Sequence, residues 1–141
     1  MIFRQNRQES VSVRLRYHSN MMNHPPPASL EELKLRVRAF AFERHWERYH
    51  TPKNLAMALI AEAGELVERF QWLSPEESAQ LPPERREQVR QEIADVLIYL
   101  TRLADLLDID LLQAAADKIE LNGRKYPVEK ARGNAAKYDE L

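Results

Sequence analysis

Two long stretches of this chain repeat apolar residues at helical spacing, and each stretch contains two carboxylates three positions apart. The stretches run from Leu55 to Leu73 and from Val89 to Leu107. The acidic pairs are Glu62 with Glu65, and about 27 residues later Glu92 with Asp95. On an α-helix, residues i and i+3 point from one face, so each pair presents both carboxylates to the same side. The pattern predicts two amphipathic helices that bring four acidic groups together.

These acidic pairs favour a metal site. Carboxylates among apolar residues are costly to bury without a counter-charge, and four of them repel one another. A single Glu-x-x-Glu is more simply a solvated stripe, but both pairs here are flanked by apolar residues. Because the set contains no histidine or cysteine, it favours Mg²⁺, with Mn²⁺ as the alternative, over zinc. Magnesium in an enzyme commonly accompanies phosphate chemistry.

Composition limits the class of protein. The chain has 141 residues, enough for one domain with a core. With 44% hydrophobic and 30% charged residues and a net charge of −1, it gives no sign of binding a nucleic-acid polymer or a membrane. No apolar run approaches the roughly 18 residues of a membrane span. The chain has no cysteine, which excludes disulfides and thiolate chemistry and fits a cytoplasmic protein.

The predicted organisation is one helical domain, residues 28–127, between two tails. Residues 1–27 are arginine-rich, weakly periodic and end in three consecutive prolines, which cannot be helical. Two explanations stay open for this segment: translation that starts at Met21 or Met22, or a functional basic arm. Residues 128–141 are polar and are predicted to form an extended tail.

Four long helices and one short helix are predicted. Ser29-Leu-Glu-Glu32 forms a capping-box pattern, and Ser74-Pro75 places an N-cap before a proline. Gly123 is predicted to end the last helix. The long helices are expected at about 29–48, 52–72, 84–107 and 110–122. No strand pattern is convincing, so the predicted fold is all-α, a four-helix bundle.

Groups suited to a nucleotide occur on the same helices. Trp46 and Trp72 are expected near the ends of the first two helices, where indole rings can stack on a base, although each alone is more simply a core or interface residue. Tyr99 lies one turn beyond Asp95. Four polar residues near the end of the last helix can bind phosphate, or merely favour the negative end of its dipole. They are Lys118, Asn122, Arg124 and Lys125.

Together these motifs resemble the all-α nucleoside triphosphate pyrophosphohydrolases, the MazG-like superfamily, and within it the dCTP pyrophosphatase group. The resemblance covers about residues 28–141. Besides the acidic pairs, its motifs are Pro52-Lys-Asn-Leu55, Phe70-Gln-Trp72, Asn122-Gly-Arg-Lys-Tyr-Pro127 and Arg132-Gly-x-Ala-x-Lys-Tyr138.

The resemblance implies an enzyme that converts a dNTP, dCTP or a 5-modified dCTP, to the monophosphate and pyrophosphate with Mg²⁺. It assigns the metal to the four carboxylates of the acidic pairs. For the reaction itself, Glu62 or Glu65, rather than Asp95, is the expected general base. The resemblance assigns the base of the nucleotide to the two tryptophans and Tyr99. It assigns the triphosphate to the four polar residues of the last helix.

The resemblance also implies a homo-oligomer, a dimer or a tetramer, with substrate pockets near the subunit boundary. Two departures leave the base preference open, since Val37 stands where some relatives carry histidine and His45 stands where an acidic residue is common. Two other interpretations remain. One is a broader house-cleaning pyrophosphatase that acts on other dNTPs or dUTP. The other is a non-enzymatic helical oligomer that binds a nucleotide or a partner.

Overall fold

The structure, a computed structural model, describes residues 25–137 of the chain. In that range it contains six α-helices and no β-strand. They are α1 (Leu30–Glu43), α2 (Pro52–Glu68), α3 (Pro75–Ala79), α4 (Pro83–Leu106), α5 (Leu111–Lys125) and α6 (Val128–Ala131). The predicted all-α fold is confirmed. Most of the predicted N-terminal tail, and the last residues of the C-terminal motif from Tyr138 onward, lie outside the described residues.

The helices begin where the sequence predicts. At α1, the Ser29 hydroxyl accepts the Glu32 N–H at 3.1 Å, and the Glu32 carboxylate accepts the N–H of Ala28, just before the N-cap. At α3 the capping box is complete, because the side chains of Ser74 and Glu77 each accept the other's backbone N–H. These caps satisfy N–H groups that the first turn of a helix leaves without partners.

Two predicted helix ends are too late. α1 ends at Glu43 rather than near Arg48, because His45 has φ 54°, a left-handed conformation that cannot continue a right-handed helix. α2 ends at Glu68, and a turn carries the chain to Trp72. Both tryptophans therefore lie beyond the ends of the helices rather than on them.

The end of α5 is also predicted wrongly. The helix continues through Gly123 to Lys125, and Tyr126 is the residue that leaves helical conformation, with φ −120° and ψ 69°. Pro127 explains this end, because its ring disfavours helical conformation in the preceding residue. One glycine inside a helix costs only about 1 kcal/mol relative to alanine, so Gly123 does not stop the helix. After Pro127 the chain forms the single turn of α6, so the C-terminal segment is not wholly extended.

Helix α4 is the centre of the packing. α2 makes its most extensive contacts with α4, and α1 packs on α4 over a smaller area. The buried apolar residues of the described chain are Ala41, Leu55, Val89 and Ala104, one each from α1 and α2 and two from α4. α5 makes only weak contacts with the other helices, and none of its residues is buried. The core of the described chain is built from three helices, α1, α2 and α4, and the four-helix bundle stays a prediction.

A buried ion network ties α1 to the end of α4. Asp105 accepts a hydrogen bond from Arg38 Nε at 3.1 Å, across from α1, and one from Arg102 Nη1 at 2.6 Å, from the preceding turn of α4. Only 4% of the Asp105 side chain and 6% of the Arg102 side chain are exposed. Burial opposes the charge of Asp105, but the hydrogen bond from Arg38 and the charges of both arginines outweigh it and lower the pKa of Asp105.

Much of the apolar surface is uncovered. Ile60 of α2 is 70% exposed and Ile119 of α5 is 72% exposed, and Met57, Val67 and Ile93 are also more than half exposed. Soluble monomers rarely expose large contiguous apolar patches. Among the helices of residues 25–137, none combines the length and the apolar character that crossing a bilayer requires.

Candidate active site

Three of the four predicted carboxylates converge where α2 packs against α4. One oxygen from each of Glu62, Glu65 and Glu92 lies within 4.8 Å of the others. Glu62 and Glu65 share one face of α2, and Glu92 comes from α4. Because Glu92 is buried, Glu62 half-buried and Glu65 exposed, the cluster extends from the helix interface to solvent. These three residues are called the carboxylate cluster below.

Asp95 lies three residues beyond Glu92 on α4 and outside this tight group. It is half-buried, and its negative charge acts on Glu62 of the cluster. The pKa of Glu62 is raised, first by burial and then by the negative charges of Asp95, Glu65 and Glu92. The four acidic groups therefore interact electrostatically, as the sequence pattern predicts.

The carboxylate cluster fits a small, hard dication. Mg²⁺ binds oxygen ligands at about 2 Å in octahedral geometry, so its ligand oxygens lie roughly 3 to 4 Å apart. Oxygens within 4.8 Å of one another reach that spacing with small side-chain rotations. All the donors are carboxylate oxygens, which suit Mg²⁺ or Mn²⁺ better than zinc.

Arg69 is a site residue that the sequence reasoning missed. It is the C-cap of α2, four residues after Glu65 and seven after Glu62, and thus on the same helix face. Its Nε and Nη2 both donate to Oε1 of Glu92, at 3.1 and 2.7 Å. The sequence does contain a signal for Arg69: a basic residue four and seven positions after the two members of an acidic pair lies on the same helix face as that pair.

The two predicted base-stacking tryptophans are not in contact with each other. Trp46 makes an edge-to-face contact with Phe40, with ring centroids 5.7 Å apart, and its ring lies 6.0 Å from that of His50. Trp72 is 86% exposed in the turn after α2. Tyr99 is half-buried on α4, one turn beyond Asp95. Both indoles keep exposed surface on which a ligand or a partner can pack.

The predicted phosphate ligands are all exposed on α5, the helix that packs weakly. They are Lys118, Asn122, Arg124 and Lys125. The Arg124 guanidinium lies 4.0 Å from Glu120, one turn earlier. Within residues 25–137, no hydrogen bond or ion pair joins Lys118, Asn122 or Arg124 to the four carboxylates. Within the described part of the chain, these three residues are therefore not linked to the predicted metal ligands.

A separate cleft of about 380 Å³ lies between the start of α1, the end of α4 and the start of α5. Its lining includes Lys34, Arg38, Thr101 and Asp105, and it contains none of the predicted site residues. The charged groups around it are largely paired with one another, Lys34 with Glu31 and Arg38 with Asp105. This cleft is therefore distinct from the carboxylate cluster.

Comparisons with known proteins agree on one family. The MazG-like family profile matches residues 58–141. Over 118 residues the chain is 44% identical to dCTP pyrophosphatase 1 of Mus musculus and 42% identical to dCTP pyrophosphatase 1 of Homo sapiens; each alignment covers 82% of this chain and 69% of the relative. The crystal structure of a pyrophosphatase from Archaeoglobus fulgidus matches with a TM-score of 0.67 and 43% identity, over 77% of this chain and 99% of that one.

Fold and site together define an all-α protein built around a carboxylate cluster between two helices. The chain belongs to the MazG-like family, and the resemblance read from its motifs is confirmed. The residues that the family profile matches include both acidic pairs.

Replacing Glu62 by glutamine should stabilise the metal-free protein. The raised pKa of Glu62 means that ionisation is unfavourable in the folded state, so the folded protein loses stability as pH rises from the unfolded pKa, near 4.5, through the folded value. At neutral pH the E62Q variant should therefore melt a few degrees higher than wild type in EDTA, and should not be stabilised further by Mg²⁺. Thermal melts in EDTA and in Mg²⁺ measure both effects. Glu68→Gln, an exposed residue of the same helix, is the control, and equal melting temperatures for E62Q and wild type in EDTA would contradict the prediction.

Proposed function

We propose that this enzyme, a nucleoside triphosphate pyrophosphohydrolase of the house-cleaning kind, hydrolyses dCTP or a 5-modified dCTP to the monophosphate and pyrophosphate. Family membership supports the enzyme class, and the relatives in Mus musculus and Homo sapiens are named for dCTP. The single observation that carries the proposal is the convergence of carboxylate oxygens from Glu62, Glu65 and Glu92 within 4.8 Å.

The carboxylate cluster and Asp95 would hold Mg²⁺, with Mn²⁺ as an alternative. When bound, the metal would neutralise phosphate charge and make a coordinated water more acidic. The position of Glu65 at the exposed edge of the cluster supports this role, because a triphosphate can approach there without entering the helix interface.

Glu62 or Glu65 would accept the proton of the attacking water. A general base works best when its pKa lies near the pH of the reaction. In the metal-free protein the pKa of Glu62 is raised above its ordinary value of 4.5, first by burial and then by the charges of Asp95, Glu65 and Glu92. Burial does not depend on the metal and supports Glu62 in this role. Its half-buried position also limits competition from bulk solvent.

The base of the nucleotide would stack between Trp46, Trp72 and Tyr99, and the α5 residues Lys118, Asn122, Arg124 and Lys125 would bind the triphosphate. We propose that a homo-oligomer, a dimer or a tetramer, brings these two sets of groups together near a subunit boundary. Two observations support this: α5 packs only weakly on its own protomer, and apolar residues such as Ile60 and Ile119 are exposed. The four-helix bundle of each protomer, with α5 as its fourth long helix, stays part of this proposal.

The catalytic domain in this proposal spans residues 28–127, and the tails 1–27 and 128–141 have no assigned role in the reaction. A cytoplasmic location remains a prediction from composition, as does the expectation of neither a nucleic-acid nor a membrane partner.

Pyrophosphate release tests the proposal directly. The full chain is assayed against the canonical dNTPs, dUTP and 5-modified dCTP, with Mg²⁺ and with EDTA. We expect Mg²⁺-dependent pyrophosphate from dCTP and its 5-modified forms. Pyrophosphate release only from triphosphates with other bases would point to the broader house-cleaning activity. The departures at Val37 and His45 leave that activity open. No release from any triphosphate would contradict the proposal.

Replacing Trp72 by alanine should weaken substrate binding more than it slows the chemistry. Because the Trp72 side chain is 86% exposed, its loss should not disturb folding. Stacking of a base on an aromatic ring contributes about 1–3 kcal/mol, so KM for dCTP should rise about 5- to 150-fold with a smaller change in kcat. Steady-state kinetics measure this change. Tyr49→Ala removes another exposed aromatic side chain as the control, and an unchanged KM in Trp72→Ala would contradict a stacking role.

A further inference from the structure

We propose that Arg69 is a positioning residue that holds one oxygen of Glu92 and so presents the other oxygen to the divalent cation. This inference rests on the proposed metal site. It adds a residue outside the acidic pairs and assigns it a distinct task, which is to orient the most buried member of the carboxylate cluster.

Both hydrogen bonds from Arg69 go to the same oxygen of Glu92. Nε and Nη2 both donate to Oε1 of Glu92, at 3.1 and 2.7 Å, and neither donates to Oε2. A guanidinium is a rigid planar fork, so two of its N–H groups that donate to one oxygen hold Oε1 in place. Oε2 is thereby left available to a second cation.

Glu92 depends on this partner. Only 9% of its side chain is exposed, whereas Arg69 is 34% exposed. Within residues 25–137, Arg69 is the only hydrogen-bonding partner of the Glu92 side chain. A buried carboxylate without a counter-charge is strongly unfavourable, so Arg69 also makes the position of Glu92 tolerable in the folded protein.

Arg69 lies beside the carboxylate cluster and not within it. It shares a helix face with Glu62 and Glu65, yet among the described residues its ion pair is with Glu92 alone. A guanidinium that took the place of the metal would bridge two or more of the clustered carboxylates. Contact with a single oxygen is the arrangement expected of a residue that orients a ligand and remains in place when the metal binds.

Binding of Mg²⁺ alone to the full chain, measured by calorimetry, tests the proposal. We expect Arg69→Met to bind Mg²⁺ about tenfold more weakly, the lower end of the 10- to 100-fold loss typical of such supporting residues, because removing a positive charge partly offsets the lost orientation. Arg69→Lys keeps the charge but not the fork and should fall between wild type and Arg69→Met.

Two controls separate the possible outcomes. Arg90→Met removes a matched arginine of α4, whose Nε and Nη2 contact Glu87 outside the cluster, and should leave Mg²⁺ affinity unchanged. Glu65→Gln should lose Mg²⁺ binding. If wild type binds no Mg²⁺, or Glu65→Gln binds it normally, the metal site itself is wrong.

Only the role of Arg69 is overturned if wild type binds Mg²⁺ and Arg69→Met binds it equally or more tightly. Tighter binding would identify Arg69 as a competitor of the metal. Circular dichroism establishes that each variant is folded. If Arg69→Met does not fold, Arg69→Lys decides the question, since affinity equal to that of wild type would show that charge suffices and would exclude positioning.

Discussion

The Glu65→Ala variant should lose pyrophosphate release by about 10³-fold or more and keep its helical fold. Glu65 is exposed on α2, so its removal leaves the contact between α2 and α4 intact. It nevertheless contributes one of three oxygens that converge within 4.8 Å. Losing a metal ligand removes several kcal/mol of transition-state stabilisation, and each 1.36 kcal/mol is a factor of about ten in rate. Pyrophosphate release at saturating Mg²⁺ and dCTP, together with circular dichroism, measures both expectations.

The control for this experiment is Glu68→Ala, an exposed glutamate of the same helix that lies outside the carboxylate cluster. It should retain nearly full activity. Asp95→Ala should also abolish turnover, because Asp95 interacts electrostatically with Glu62 although it lies outside the tight group. Retained activity in either Glu65→Ala or Asp95→Ala would remove that residue from the proposed metal site.

The Asp105→Ala variant should lose about 3–5 kcal/mol of folding stability. The substitution leaves Arg102, which is 5% exposed, without its ion-pair partner, and it breaks the contact with Arg38 that ties α1 to α4. Removing one member of a buried ion pair typically costs this amount, because the other charge stays buried and uncompensated. Urea unfolding followed by circular dichroism measures the loss.

Two companion variants test the cause. Asp117→Ala removes an exposed carboxylate of α5 and should change stability little. Replacing both members of the buried pair, Arg102→Met with Asp105→Leu, should recover much of the lost stability, because no buried charge then lacks a partner. A destabilisation in the double variant as large as in Asp105→Ala would contradict this explanation.

The pH dependence provides a further check on Asp105. Its folded-state pKa lies below the ordinary value of 3.8, so its stabilisation is present above that value and is lost as pH falls through the folded pKa. Wild type should therefore lose folding stability as the pH falls below about 4. Asp105→Asn should lack this part of the acid dependence. Acid titrations followed by circular dichroism distinguish the two proteins.

The fold class and the placing of each acidic pair on one helix face could be predicted because both depend on local spacing. Apolar residues at helical intervals define the buried faces of α2 and α4, and the i, i+3 spacing places Glu62 with Glu65 on one face. Caps such as Ser74 with Glu77 are equally local, because each hydrogen bond joins residues within one turn. Helix ends were harder to predict: the positive φ of His45 has no signal in the sequence, and Pro127, rather than Gly123, ends α5.

The partners of charged side chains could not be read from the chain in the same way. Arg38 meets Asp105 across 67 positions of sequence, and Arg69 meets Glu92 across 23. Such pairs depend on the angle and register at which two helices pack and on the side-chain rotamers at their contact, and periodicity specifies neither. The weak packing of α5 could not be predicted for the same reason. An amphipathic pattern predicts that one face of a helix is buried, but it does not specify which other helix packs on that face. Spacing along the chain thus determined which residues share a helix face, whereas the packing between helices decided which faces and charges meet.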